Sequence, residues 1–475
     1  MLLYKKMPTF AAGKNNAYKH MKIRTIIAIV ALLPQLTAVA QEADTTDVWD
    51  LQTCIDYAIS NNIQIQQSRL ALEESDEELA AARAAMYPTL SFSTSHNITN
   101  RPFGDSSNQV VDDGTGGSVT SSSDSKTTYN GSYGLNASWT VWNGGKRSAN
   151  IKQSKLSSEI AELDIAEQTN TLEESIAELY IQILYTADAI IVSDSALSLS
   201  KAERDRAKER LQVGSIAKSD VAQLESEVAD AQYQLINSQA SLSQYQLQLK
   251  QTLELDASST LNLKIISPTD EQIVVALPSI EEVYQAALAQ RPEIQSSQLS
   301  IESSELSIKS ARAGYYPTIN LSAGTGTSNT SGSDESIGTQ WKNNWNNTVG
   351  LSISVPILDN RQNKSSVSKA KIQQTTSELN LINEQKTLRN TIETLWLNAQ
   401  TAQQRYLAAV TKVESCQESY DLVFQQFDVG LKNTVDMLTE KNNLLSAQQE
   451  MLQAKYTAIL NIQLLKFYQG EPMTL

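Results

Sequence analysis

The chain contains its own pattern twice. Ala82-Arg83-Ala84-Ala85-Met86-Tyr87-Pro88-Thr89 returns as Ala311-Arg312-Ala313-Gly314-Tyr315-Tyr316-Pro317-Thr318, each time joining a stretch of helical period to a short alternating one. Upstream, Leu51, Ala58, Ile65, Leu70 and Leu79 return as Ile280, Ala287, Ile294, Leu299 and Ile308, the apolar positions of one expected helix. Downstream, Gly134-Leu135, Val213-Gly214 and Asp220 return as Gly350-Leu351, Val429-Gly430 and Asp436. The offset falls from 229 (Ala82 to Ala311) to 216 (Gly134 to Gly350), so 13 extra residues lie in the polar loop of the first copy. A duplication of this length restricts the fold to one built from two like halves. The halves are expected at 41–256 and 279–467, with a leader at 1–40, a connector at 257–278 that loses the helical repeat, and a tail at 468–475.

From Leu388 the apolar and small residues step by four and three through Ile392, Leu395, Ala399, Ala402, Tyr406, Ala409, Val413, Cys416, Tyr420, Val423 and Phe427. That is a coiled-coil seam. After Gly430, Met437, Leu444, Met451 and Ala458 stand seven apart, and the first copy repeats the order around Gly214. Lys146 to Gln212 contains neither proline nor glycine, which predicts one helix of roughly 100 Å; Arg361 to Asp428 is its twin. The Val-Gly pairs are the places to reverse the chain, because glycine accepts the left-handed conformation that ends a helix. Each half therefore carries a long antiparallel helical hairpin.

Two further segments per half alternate. Gly131, Tyr133, Leu135, Ala137, Trp139 and Val141 share one face against Asn130, Ser132, Gly134, Asn136, Ser138 and Thr140. Val349, Leu351, Ile353, Val355 and Ile357 do the same in the second half, and Leu90, Phe92, Ile319, Leu321 and Ala323 mark the preceding strands. Strands of about ten residues with one apolar and one polar face match the staves of a membrane barrel. Tyr87, Trp139, Trp142, Tyr315 and Tyr316 sit near strand ends, where interfacial aromatic residues gather. The same alternation suits a small antiparallel sheet packed by one face on a soluble domain. An export signal and the flanking long helices favour the barrel. Four strands cannot close in lipid, since the smallest single-chain membrane barrels use about eight, so copies must associate. The segments 99–129 and 326–346, rich in Ser, Thr, Asn, Gly and Asp, read as exposed surface loops. Asp112-Asp113-Gly114 lacks the spacing of a calcium loop and reads as a solvated turn.

Lys22 and Arg24 precede the apolar run Ile26 to Leu33, and Ala38-Val39-Ala40 offers a cleavage site, the pattern of a secretory signal peptide starting at Met21. The first 40 residues hold six Lys/Arg and no acid, so the formal charge of −15 becomes about −21 in the mature chain, which disfavours nucleic acid as a partner. Beyond the signal no apolar run reaches the roughly 20 residues of a membrane-spanning helix. Cys54 and Cys416 lack metal-site spacing and read as buried free thiols. No phosphate loop, G-x-S-x-G elbow or H-E-x-x-H is present, and His96, near a strand end, reads as a surface histidine; the chain is read as no enzyme, with no cofactor or metal.

On the repeated Ala-Arg-Ala-x-x-Tyr-Pro-Thr motif, Val355-Pro356-Ile357-Leu358-Asp359-Asn360-Arg361, and two Val-Gly turns followed by Asp220 and Asp436, the chain resembles the TolC family of outer-membrane efflux proteins over essentially all of its mature length. The resemblance implies a mainly α fold with a membrane β-barrel. A homotrimer would pool four strands per protomer into a twelve-stranded barrel continuous with a periplasmic α-helical tunnel. It also implies a periplasmic adaptor and an inner-membrane transporter as partners, with an adaptor docking at the turns Val213, Gly214, Val429 and Gly430. Carried over residue by residue, Asp436 matches an acidic constriction position, Lys432 a basic gate position, Phe427 an aromatic one, and Asp220 the acidic partner on the first hairpin. Thr439 departs from a second acidic ring, and Phe427 lacks the hydroxyl of a tyrosine, which points to a looser gate or other latching residues. For each charged position the plainer reading is a solvated helix end. Two rival functions are a periplasmic coiled-coil adaptor, which would carry one hairpin, and a structural envelope rod, which needs no lipid-facing strands. The cargo stays open between drugs, dyes, metabolites and polypeptides.

Overall fold

The computed structural model describes residues 48–100, 102–103, 109–112, 118–121, 127–256, 258–333 and 335–474. The leader at 1–40 and the Asp113-Gly114 turn lie outside the described residues. One compact unit, Trp49–Ser259 with Leu263–Leu475, holds every element named below. In chain order these are α1 (Leu51–Asn61), α2 (Ile63–Ala84), β1 (Thr89–Asn100), β2 (Gln109–Asp112), β3 (Ser118–Ser121), β4 (Thr127–Trp142), α3 (Lys146–Gln212), α4 (Lys218–Thr252), α5 (Asp270–Ile273), α6 (Ile280–Gln290), α7 (Pro292–Arg312), β5 (Thr318–Thr330), α8 (Ile337–Asn343), β6 (Asn346–Ser354), α9 (Gln362–Asp428) and α10 (Thr434–Tyr468).

The apolar positions expected on one helix per half belong to two helices. The chain breaks at Asn62 and again at Arg291, both extended with ψ of 130° and 127°. In the first half Asn62 Oδ1 accepts from the Gln64 and Ile65 amides at 2.9 and 3.3 Å, so the side chain caps a new helix. In the second half Pro292 excludes the helical conformation at Arg291 and itself takes the first position of α7. Leu51, Ala58, Ile65 and Leu79 are buried as the pattern requires, whereas Leu70 faces out.

The two 67-residue helices α3 and α9 form the body of the fold. α4 folds back along α3, α10 folds back along α9, and α7 packs against both long helices. Ile392, Ala399, Ala402, Tyr406, Ala409 and Tyr420 of α9 are buried along the expected seam against Met437, Leu444, Ala447 and Ala458 of α10. The alanines let the helix axes approach, and the larger side chains fill the remaining space. At the Arg291 break the guanidinium lies 3.7 Å over the Tyr468 ring and 2.9 Å from Glu174, which ties the end of α10 to α3. The connector between the halves contains the single-turn helix α5 and lies across α9: Gln403 Nε2 donates to the Ile273 and Val275 carbonyls at 2.8 and 2.9 Å.

The four long strands form one antiparallel sheet in the order β1-β4-β5-β6, while β2 and β3 pair only with each other. Register aligns the apolar residues of all four: Phe92 lies opposite Leu135, Trp139 opposite Leu321, and Leu321 opposite Leu351. Three expectations need correction. β6 ends at Ser354, because Pro356 has no amide to continue a ladder, so Val355 and Ile357 lie past it. A bulge between Thr140 and Trp142 interrupts the alternation of β4 at Val141. Neither polar segment is a simple loop: 99–129 contains the end of β1, the β2–β3 pair and the start of β4, and in 326–346 β5 continues to Thr330 and α8 follows.

At the junction of sheet and helices the halves solve one backbone problem differently. Before α3, Gly144 and Gly145 are left-handed (φ 69° and 85°), and a Cβ on Gly144 would stand 2.7 Å from the Ala313 carbonyl oxygen. Before α9 the equivalent residues are Asn360 and Arg361 (φ 48° and 70°), where Asp359 accepts from the Arg361 and Asn363 amides at 3.1 and 2.8 Å.

Both cysteines are free thiols; Cys54 is fully buried, while Cys416, at the margin of the tip cluster, is only half-buried and corrects the expectation for that residue. Burial, with the Asp50 carboxylate adding to it, pushes the Cys54 thiol up to about 12. Alkylation should label the half-buried Cys416 and spare Cys54, whose burial both hides the sulfur and opposes its thiolate, until the protein is unfolded. Peptide mapping checks this, and an intramolecular disulfide would contradict the fold.

Candidate gate at the hairpin tips

Both tips use the same chain reversal. Gly214 (φ 76°) and Gly430 (φ 78°) take the left-handed conformation, with Ser215 donating to the Arg210 carbonyl at 2.9 Å and Leu431 to the Gln426 carbonyl at 2.8 Å. These bonds satisfy the last helical carbonyls. Val213, Val429 and Leu431 are left strongly exposed at the ends of the hairpins.

The acidic residues named from the sequence each serve their own turn. Asp220 accepts from the Ala217 amide at 3.4 Å at the start of α4. Asp436 lies in the first turn of α10, where Asn433 caps its amide at 2.8 Å, and its carboxylate is 3.6 Å from Lys432 Nζ. The structure therefore brings Asp436 and Lys432 together and joins neither to Asp220 among the described residues. Phe427 is partly buried against the cluster formed by Ala207, Val221, Leu224, Tyr420, Met437 and Leu438. Thr439 Oγ1 donates to the Val435 carbonyl of its own helix at 2.8 Å.

The contacts that join the two hairpins were not found from the sequence. Arg206 of α3 lies 3.0 Å from the Asp428 carboxylate at the end of α9, and Arg210, one turn on, lies 3.9 Å from it. The Arg210 guanidinium also covers the Phe427 ring at 5.3 Å and donates to the Phe427 carbonyl at 3.4 Å. An arginine over an aromatic face keeps its attraction without needing a hydroxyl. Deeper along the hairpins, Lys441 is 4% exposed and lies 2.7 Å from Glu203 and 3.7 Å from Glu227. Its ammonium donates to Ser200 Oγ at 2.6 Å, and the Tyr420 hydroxyl donates to Glu203 at 2.6 Å. Burial, then the bond to Glu203, pushes the Tyr420 phenol well above its ordinary range. The readable signal was Lys441 itself, a charge four residues after Met437 and three before Leu444 on a core seam.

Four strands that share an apolar face, continued by two long helical hairpins with ion pairs between their tips, make up the fold. Residues 54–253 and 283–471 match the family described as outer membrane efflux protein, and the chain belongs to that family. It is 22% identical to the outer membrane efflux protein BepC of Brucella suis over 405 residues, covering 85% of this chain and 81% of the relative. It is 27% identical to the outer membrane protein TolC of Escherichia coli over 311 residues, covering 63% of this chain and 61% of that protein. The fold resembles the outer membrane protein VceC from Vibrio cholerae, with a TM-score of 0.74 and 15% identity, covering 89% of this chain and 97% of the other. The homologues are channel and transport proteins rather than enzymes, and the chain is an outer-membrane channel that extends into the periplasm.

Removing one partner of a buried ion pair costs about 3–5 kcal/mol because the other charge is stranded. Lys441→Met should therefore lower the thermal midpoint of the detergent-solubilised protein sharply, and adding Glu203→Gln should restore most of it. A double variant no more stable than Lys441→Met would show that the two charges are not coupled.

Proposed function

We propose that this protein is the passive exit duct of a tripartite efflux or secretion system. Three copies would pool their strands into a twelve-stranded barrel, and the helical hairpins would form the wall of a periplasmic tunnel. An adaptor would dock at the turns around Val213-Gly214 and Val429-Gly430, with an inner-membrane transporter supplying the cargo. The observation that carries this reading is the sheet's outward face: Leu90, Phe92, Val349, Leu351 and Ile353 are each at least 60% exposed. Side chains this large and contiguous are favourable outward only against lipid or another apolar surface. A periplasmic adaptor or an envelope rod has no use for such a face. In native mass spectrometry from detergent the protein should run as a trimer; a stable monomer would sink the barrel.

The gate proposal rests on two charge sets. Arg206 and Arg210 with Asp428 would latch the second hairpin to the first, in place of the tyrosine hydroxyl that Phe427 lacks. The pair is substantially exposed, so it contributes at most about 1 kcal/mol per protomer, and Asp428→Asn should raise the open population up to about fivefold per protomer in planar bilayers. At the constriction Asp436 would favour cations, but Lys432 beside it offsets that charge. Reversal potentials in a salt gradient should shift toward cations in Lys432→Gln and toward anions in Asp436→Asn. If neither variant changes selectivity or conductance, both residues are ordinary helix-end charges.

A further inference from the structure

Helix α8 lies at the end of the sheet remote from the long helices and is fastened to β5 by four hydrogen bonds. Thr327 Oγ1 donates to the Trp341 carbonyl at 2.7 Å, and the Thr330 amide donates to Gln340 Oε1 at 2.8 Å. The Trp341 indole donates to Asn329 Oδ1 at 3.4 Å, and Asn344 Nδ2 donates to the Ser328 carbonyl at 2.8 Å. Thr327 and Asn329 stand opposite Tyr133 and Gly131, on the same face as Leu135. The helix therefore covers a polar stretch of β5 on the sheet's apolar side. Trp341 meets the Tyr133 ring at 5.3 Å, Tyr133 meets His96 at 5.4 Å, and His96 stacks on Tyr129 at 5.9 Å.

Having covered that stretch, α8 turns its own apolar edge outward. Ile337, Trp341 and Trp345 are 58%, 43% and 60% exposed. Residues four apart on a helix fall within about 40° of one another, so Ile337 and Trp341 share one edge, and Trp345 follows just past the helix end. The nearby Glu335 carboxylate is engaged by Asn343 Nδ2 at 3.2 and 3.1 Å, which keeps that acid occupied by its own helix.

We propose that Ile337, Trp341 and Trp345 bed α8 in the headgroup zone of the outer leaflet, as a second aromatic belt at the far end of the strands from Tyr87, Trp139, Trp142, Tyr315 and Tyr316. The argument is continuity. The exposed edge is joined by the Trp341–Tyr133 contact to the apolar face already assigned to lipid, and the inference rests on that assignment. Indole rings suit this layer because they present an apolar body with a polar N–H. The four bonds to β5 hold the helix in place, and the one from its indole N–H fixes the Trp341 ring, so less ordering remains to oppose binding.

The test reconstitutes the full protein in vesicles of phosphatidylcholine brominated near the headgroup or near the bilayer centre. Wild type is compared with Trp341→Phe, Trp345→Phe and the double variant; Trp345→Phe removes no hydrogen bond among the described residues and guards against misfolding. The emission lost in the double variant isolates the two indoles. That component should fall by roughly half with headgroup-proximal bromine, less with central bromine, and resist aqueous iodide. Quenching by iodide with no effect of bromine, or by neither, would overturn the anchor so long as Trp139 and Trp142 are quenched by brominated lipid. If Trp139 and Trp142 also escape bromine, the lipid-facing reading of the sheet falls together with the anchor.

Discussion

Among the described residues, the outward amides and carbonyls at the two edges of the sheet pair with no other strand of the chain. Among those residues β1 is bonded only through β4 and β6 only through β5, so each presents a free ladder, and the face beside them is apolar along the half of the sheet nearer the long helices. In water such edges can be solvated, but the apolar face is unfavourable there; in lipid the face is favourable, but each unpaired backbone group costs several kcal/mol. Edge-to-edge association of copies within lipid, as proposed, would remove both penalties at once. The hairpins would be carried along by it, since Arg147, at the start of α3, donates to the Ala85 and Val141 carbonyls at 2.9 and 3.1 Å.

At the other end of the molecule strong and weak contacts are separated along the helices. The apolar cluster around Tyr420 and Met437, with the buried Lys441–Glu203 pair, resists separation of the hairpins, because opening it would strand charge in an apolar setting. Nearer the turns the contacts are exposed arginine–aspartate pairs and cation–aromatic contacts, each contributing only a fraction of that. In the proposed gate, the tips would part while the helices above them stay joined.

Much of this was legible in the sequence because it depends on periodicity. The bounds of α3, the left-handed glycines at both turns and the shared apolar face of four strands follow from spacing alone. The break at Asn62 was not legible, since a side-chain cap leaves the buried face unchanged and the pattern runs straight through it. Arg206, Arg210 and Asp428 were missed because they come from helix ends more than two hundred residues apart, and nothing in a local window marks a charge as paired. Helix α8 was hidden in a segment whose Ser, Thr, Asn and Gly content reads as loop, although Trp341 and Trp345 were visible in it.

The junctions before α3 and α9 bear on the history of the duplication. Two glycines in one half and Asn360-Arg361 in the other hold the same left-handed pair of residues, and each turn is braced by one side chain: Asn143 accepts from the Arg147 amide at 3.3 Å, and Asp359 from the Arg361 and Asn363 amides at 3.1 and 2.8 Å. At Gly144 a side chain would also run into the second half's own chain, at the Ala313 carbonyl and the Tyr316 side chain. The two halves meet at that point, and any side chain in place of Gly144 would drive the end of β4 away from Ala313 and Tyr316 and so loosen the seam between the halves.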